Sequence, residues 1–317
     1  EVGGQAAVGS VSVDQDTLTL GSSGRFTADP AVSVAKDASL ALGGNESFST
    51  LAGQGTVNLA AAPLSIGGNG ASSTFDGVIA GGGSLVKQGT GTFTLSGINT
   101  YTGGTTVAAG TLALTGTERL ADTGSLNVAG FATLTLDSRE TVSAATVAGS
   151  LGGNGTLVAS TFTLDGGSIG ANAALVADTL HSSRGSRLDG SATAGSLVVD
   201  DGTLTLGSAH RLVAPPAVSV AAGSELALGG DETFATLAGG GTVSLGLATL
   251  TTGSGDSTFA GTLGGSGGLI KLGGGTFTLS GHNTFTGSTQ VQAGTLALAT
   301  DDVLADGTAV SVAPNAT

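Results

Sequence analysis

Apolar and polar residues alternate over short stretches along the whole chain. Thr17-Leu18-Thr19-Leu20, Val32-Ser33-Val34, Leu40-Ala41-Leu42 and Val57-Asn58-Leu59 are early cases. Thr92-Phe93-Thr94-Leu95, Leu112-Ala113-Leu114, Leu134-Thr135-Leu136 and Phe162-Thr163-Leu164 follow. A period of two, with one apolar face and one Thr/Ser/Ala face, predicts half-buried strands. Threonine and valine suit them because branched side chains pack well on a pleated surface. Turn formers separate the strands: Gly43-Gly44-Asn45, Gly81-Gly82-Gly83, Gly103-Gly104 and Gly152-Gly153-Asn154-Gly155. Strand starts recur roughly every 8 to 12 residues, a spacing that fits an all-β architecture. Only Glu118 to Asp122 could make a helical turn, and glycines hem it in.

The chain also repeats itself at long range. VDQDTLTL from Val13 returns as VDDGTLTL from Val199, and AVSVA at Ala31 returns at Ala217. LALGGNESFSTLAGQGTV from Leu40 returns from Leu226 as LALGGDETFATLAGGGTV, at the same offset of 186 (226 − 40). After the Gly67 region the offset falls to 184, because the second copy is two residues shorter there. Residues 13–115 thus match 199–299, and 120–198 form intervening rungs. Deletions and substitutions fall mainly in Gly-rich turns while the apolar triplets keep their phase, as stacked rungs allow.

Which all-β fold this is turns on composition. Aromatics are 3% of the 317 residues, ten Phe and one Tyr. A sandwich interior about 10 Å thick needs larger side chains than these. A narrow β-helix core filled by stacks of Val, Leu, Ile and Phe does not. Two or three strands per rung give about 20 to 25 residues, about 13 to 16 rungs, and an elongated rod roughly 60 to 75 Å long. The whole of 1–317 reads as one such segment.

Charge narrows the partners. The net charge is −14, and nine basic residues cannot build the positive stripe that nucleic acid requires. Anionic lipid is disfavoured for the same reason. Cysteine is absent, so neither disulfides nor thiolate metal sites form. No apolar run is long enough to span a bilayer as a helix, so no direct membrane insertion is expected. Both ends read as cuts from something larger.

One stretch carries a family resemblance. GGSLVKQGTGTFTLSGINTYTGGTTVAAGTLAL, residues 82–114, returns as GSGGLIKLGGGTFTLSGHNTFTGSTQVQAGTLAL, residues 265–298. Its hallmarks are Lys87, Gly91, Leu95, Gly97, Asn99, Tyr101, Gly103 and Gly110, with Lys271, Gly275, Leu279, Gly281, Asn283, Phe285, Gly287 and Gly294 in the second copy. Both stretches closely resemble the passenger-associated repeat of bacterial autotransporters, the type V secretion proteins. The resemblance covers about a fifth of the chain. It implies a right-handed parallel β-helix solenoid, a place at the bacterial cell surface or outside the cell, and a parent chain with an outer-membrane β-barrel. It also implies a link to efficient export, and often a role as an adhesin in virulence.

Candidate chemistry is sparse. Lys87 and Lys271 read as rung-edge lysines whose charge discourages edge pairing and whose stems cover a neighbouring rung. Asn99 and Asn283 read as turn residues bonding the local backbone, and Tyr101 and Phe285 as rings covering that turn. Asp14 and Asp16 would share one strand face, as paired glycosidase carboxylates might, but the second copy has Asp200 and Gly202 there. His181, His210 and His282 are far apart, and no Gly-x-Ser-x-Gly elbow accompanies them. Gly253-Ser254-Gly255-Asp256 and Gly68-Asn69-Gly70 are fragments of calcium-binding nonapeptides without the tandem period, so no metal or cofactor is expected. His181, Arg184 and Arg187 form the one locally basic patch, a speculative ligand contact. The expected function is a surface-displayed adhesin or rigid stalk, not an enzyme, meeting an unidentified host receptor, matrix component or glycan. A pectin-lyase-like enzyme and a pure spacer are the alternatives.

Overall fold

The alternating segments fold as strands that pair in parallel and stack as a β-solenoid of about 16 turns. A computed structural model describes residues 4–301 and 303–317. No helix occurs among the described residues, and the stretch around Glu118 is irregular backbone. The chain divides into two units, Glu1–Ser160 and Thr161–Thr317.

In the first unit the strands lie on three faces. One face runs through Ala31–Val34, Thr50–Gly53, Ser73–Phe75, Thr92–Leu95, Gly110–Leu114 and Ala132–Leu136. A second holds Thr17–Leu20, Ser39–Leu42, Thr56–Asn58 and Val78–Ala80. The third holds Glu46–Phe48, Leu64–Ile66, Leu85–Lys87, Thr105–Val107 and Ser125–Val128. The second face has no strand after Val78–Ala80. There the chain passes a corner, with Thr100 N–H donating to the Ile79 carbonyl at 2.8 Å.

The second unit is built the same way, with Thr276–Leu279 and Thr295–Leu298 on one face and Leu269–Lys271 and Thr289–Val291 on another. Its early turns are shorter. The strands Ala174–Ser183 and Ser191–Val199 have 10 and 9 residues and bend round a corner that elsewhere needs a loop. Ala174 therefore sits opposite Ser191, 17 residues on (191 − 174), whereas Thr203 sits opposite Glu225, 22 residues on (225 − 203). The 20 to 25 residues expected per rung from sequence is too long for these turns, because one continuous strand does the work of two.

Inward side chains form columns along the stack. Phe93, Leu112, Leu134 and Leu151 make one, and Phe75, Leu95, Leu114 and Leu136 another, all buried. Each fully buried leucine contributes roughly 2 kcal/mol. The register is set by that burial, since a one-residue slip would turn every threonine inward.

Candidate functional site

A column on the third face breaks the apolar rule. Ile66, Lys87, Val107, Val128 and Val147 follow one another along the stack, so a lysine occupies an aliphatic position. The alternation of Leu85-Val86-Lys87 turns Lys87 inward beside Leu85, and both are fully buried. Its Nζ donates to the Gln88, Gly89 and Ala109 carbonyls at 2.6, 2.9 and 3.1 Å. An ammonium has three donors, and all three are used. Lys271 repeats the arrangement on the Leu272, Gly273 and Gly253 carbonyls at 2.6, 2.9 and 3.1 Å. Burial lowers the pKa of both lysines, and Asp256 opposes the shift at Lys271. Neither is the edge lysine that sequence suggested. Each pins a turn carbonyl pair and one carbonyl of an adjoining rung.

Asn99 holds the corner. Its Oδ1 accepts the Ile79 N–H of the preceding turn at 2.8 Å, and its Nδ2 donates to the Arg119 carbonyl of the following turn at 2.7 Å. A third bond, at 3.1 Å, goes to the Gly97 carbonyl. Asn283 does the same with Leu263, Val303 and Gly281 at 2.8, 2.9 and 2.9 Å. Both amides are buried and bridge three turns where strand pairing lapses. Their role is therefore wider than the local turn bond expected from sequence.

The aromatic ring two residues on is buried in both copies. Tyr101 packs under the corner and its hydroxyl lies 2.6 Å from Thr105 Oγ1. Burial raises the pKa of this phenol. Phe285 fills the same place in the second copy but offers no hydroxyl, and Thr289 Oγ1 is left buried without a partner. Leu95 and Leu279 are fully buried beneath their strands.

The motif glycines have a steric cause. A Cβ at Gly97 would run into the Gly77 carbonyl oxygen of the preceding turn, and one at Gly281 into that of Gly261. Gly110 and Gly294 have φ of +65° and +68°, and they too lie against a neighbouring turn's carbonyls. Gly91, Gly103, Gly275 and Gly287 face carbonyl oxygens at similarly close range.

The remaining sequence candidates lie elsewhere. His181 Nδ1 is 2.8 Å from Asp200 Oδ2, Arg184 Nε is 3.0 Å from Asp165, and an Arg187 nitrogen is 2.6 Å from Asp189. The basic patch is thus three separate acid–base pairs at the surface. Asp14 and Asp16 lie in the turn between Ser10–Val13 and Thr17–Leu20, not on a strand face, and Asp14 accepts the Ser12 hydroxyl at 2.5 Å. Asp256 Oδ1 caps the Thr276 N–H at 2.7 Å, and Asn69 Oδ1 accepts the Ala71 N–H at 2.9 Å.

Sequence reading missed a second lock. Glu46, Glu140 and Glu232 are buried, and each accepts two consecutive backbone N–H groups of the preceding turn. Glu46 takes those of Arg25 and Phe26 at 2.6 and 3.2 Å. Glu140 takes those of Arg119 and Leu120, both at 2.7 Å. Glu232 takes those of Arg211 and Leu212 at 2.6 and 3.3 Å. In all three the glutamate follows the arginine by 21 positions (46 − 25, 140 − 119, 232 − 211). A corner without strand pairing leaves N–H groups to satisfy, and the carboxylate one turn on does it. The shared signal was an Arg-(Phe/Leu) pair followed by Glu at that spacing, and residues 119–140 hold it outside the 186-residue repeat.

The family model described as passenger-associated-transport-repeat matches residues 85–114 and 269–298. These spans contain the two lysine–asparagine–aromatic knots. No curated protein and no solved structure matches the chain. Two such repeats on a parallel β-solenoid support its identification as an autotransporter passenger segment, a class exported to the cell surface or extracellular space.

Proposed function

We propose that this chain is a surface-exposed segment that serves as an adhesin or as the rigid stalk of one, and that its turns help draw it out of the cell by folding one upon another. The reading is supported above all by the knots at Lys87 and Lys271, which tie each repeat to adjoining turns through buried polar bonds. A turn bound this way is stable only against a folded neighbour, so each addition is favourable and hard to reverse. The parent chain's outer-membrane barrel is the expected exit, and a host receptor, matrix component or glycan the expected partner. No catalysis is assigned to the segment.

The export role is tested with Leu95→Asp and Leu279→Asp in the full-length parent protein. A buried charge on each motif strand should reduce surface display and open the solenoid to protease. Unchanged display with unchanged protease resistance would refute it. The binding role is tested with the purified chain on host-matrix and glycan arrays, and turnover of pectin-like or host glycans would overturn the non-catalytic reading.

A further inference from the structure

The glutamate clasps recur at a near-constant interval within the long repeat. Their corners start at Arg25, Arg119 and Arg211, 94 and 92 positions apart (119 − 25, 211 − 119). A further 92 positions on stands Val303 (303 − 211). Residues 303–317 align with 119–133 at an offset of 184 (303 − 119), with Leu304-Ala305-Asp306 for Leu120-Ala121-Asp122 and Ala316-Thr317 for Ala132-Thr133. The bonding agrees: Asn283 Nδ2 donates to the Val303 carbonyl at 2.9 Å, as Asn99 Nδ2 does to that of Arg119 at 2.7 Å. At the first three corners a glutamate carboxylate takes both backbone N–H groups. At the fourth, the N–H groups of Val303 and Leu304 meet no acceptor among the described residues, although Val303 is buried. Such a donor pair calls for a partner. A recess of about 390 Å³ opens beside it, lined by His282, Thr284, Leu304 and Asp306.

The strand edge at this corner is open as well. Leu298, Val310 and Val312 occupy inward-facing positions, in register with Leu279, Thr289 and Val291, yet stay 48, 51 and 53% exposed. The equivalent edge in the first unit is covered by residues 134–147. There Leu134–Leu136 pair with Leu112–Leu114 and Ala144–Val147 with Ser125–Val128, while Glu140 between them fills the corner. We propose that the Val303–Leu304 corner is a carboxylate receptor for a glutamate-bearing strand. An extended segment adds in parallel to Thr295–Leu298 and Val310–Val312, and its glutamate accepts both N–H groups. Main-chain bonds then give affinity, and the charge-assisted pair at the corner fixes the register. A second folded copy does not fit, since Glu46, Glu140 and Glu232 are each engaged in their own clasp.

The probe is a synthetic peptide of residues 134–147, which holds Glu140 and follows the equivalent corner in the first unit. Titrated into the unaltered 317-residue chain, it should shift the Val303 and Leu304 amide resonances and slow their hydrogen exchange. A peptide carrying Glu140→Gln should bind about tenfold or more weakly, because hydrogen bonds to a charged acceptor are lost. The substitution lies in the peptide, so the fold of the chain is untouched. No shift of either amide at millimolar peptide, or equal binding by the Gln peptide, overturns the proposal. Glucuronate that shifts both amides as strongly as the peptide would make this a sugar-acid site and overturn the strand reading. Protection that rises with chain concentration alone would place a second copy on the edge and overturn it too.

Discussion

Lys87→Met is the sharpest perturbation of the first knot. Methionine keeps the unbranched apolar stem in the column between Ile66 and Val107 and removes only the ammonium. The carbonyls of Gln88, Gly89 and Ala109 then lose the lysine donor, and among the described residues no backbone N–H outside the strands donates to them. Each bond from the charged ammonium is worth about 2 kcal/mol, so the loss is about 6 kcal/mol. Relief of the lysine's desolvation, several kcal/mol for a buried ion, offsets about 4 kcal/mol of it. The remaining 2 kcal/mol or so corresponds to roughly thirtyfold more frequent opening of the turn. Hydrogen exchange resolved by mass spectrometry over residues 85–114 should show that increase. Residues 269–298, with Lys271 intact, serve as the internal control. Protection over 85–114 within twofold of the unaltered chain would refute the clasp role of the lysine.

Other substitutions separate the parts of the knot. Tyr101→Phe should cost about 1 kcal/mol by orphaning Thr105 Oγ1, while Phe285→Tyr should gain a similar amount by giving buried Thr289 Oγ1 a partner; paired denaturant titrations check both signs. Asn99→Leu removes bonds to two neighbouring turns at once and should cost about 2 to 4 kcal/mol, read as earlier proteolysis near residues 97–120. Gly97→Ala should disrupt its turn because the added methyl meets the Gly77 carbonyl, whereas Gly4→Ala, with open space around it, should not alter the melting temperature.

Much of this architecture was legible in the chain. The strand Thr92–Leu95 follows from strict alternation, and both repeats follow from motif identity. The inward turn of Lys87 was also encoded, since it shares parity with Leu85, but a lysine's preference for water argued against it. The glutamate clasps were harder to see. Glu46 and Arg25 become neighbours only because one turn has 21 residues, and that period varies from 17 to 22 along the chain. The pairing of Arg184 with Asp165 likewise depends on which residues the short middle turns bring together.

The proposed export role requires that the two knots make each repeat a self-locking step in folding. It is measured by surface display of the full-length protein carrying Lys87→Met, Asn99→Leu, Lys271→Met and Asn283→Leu together, scored by antibody labelling of intact cells alongside protease resistance. A marked loss of both relative to the unaltered protein is expected. Full display of a protease-resistant passenger would contradict it.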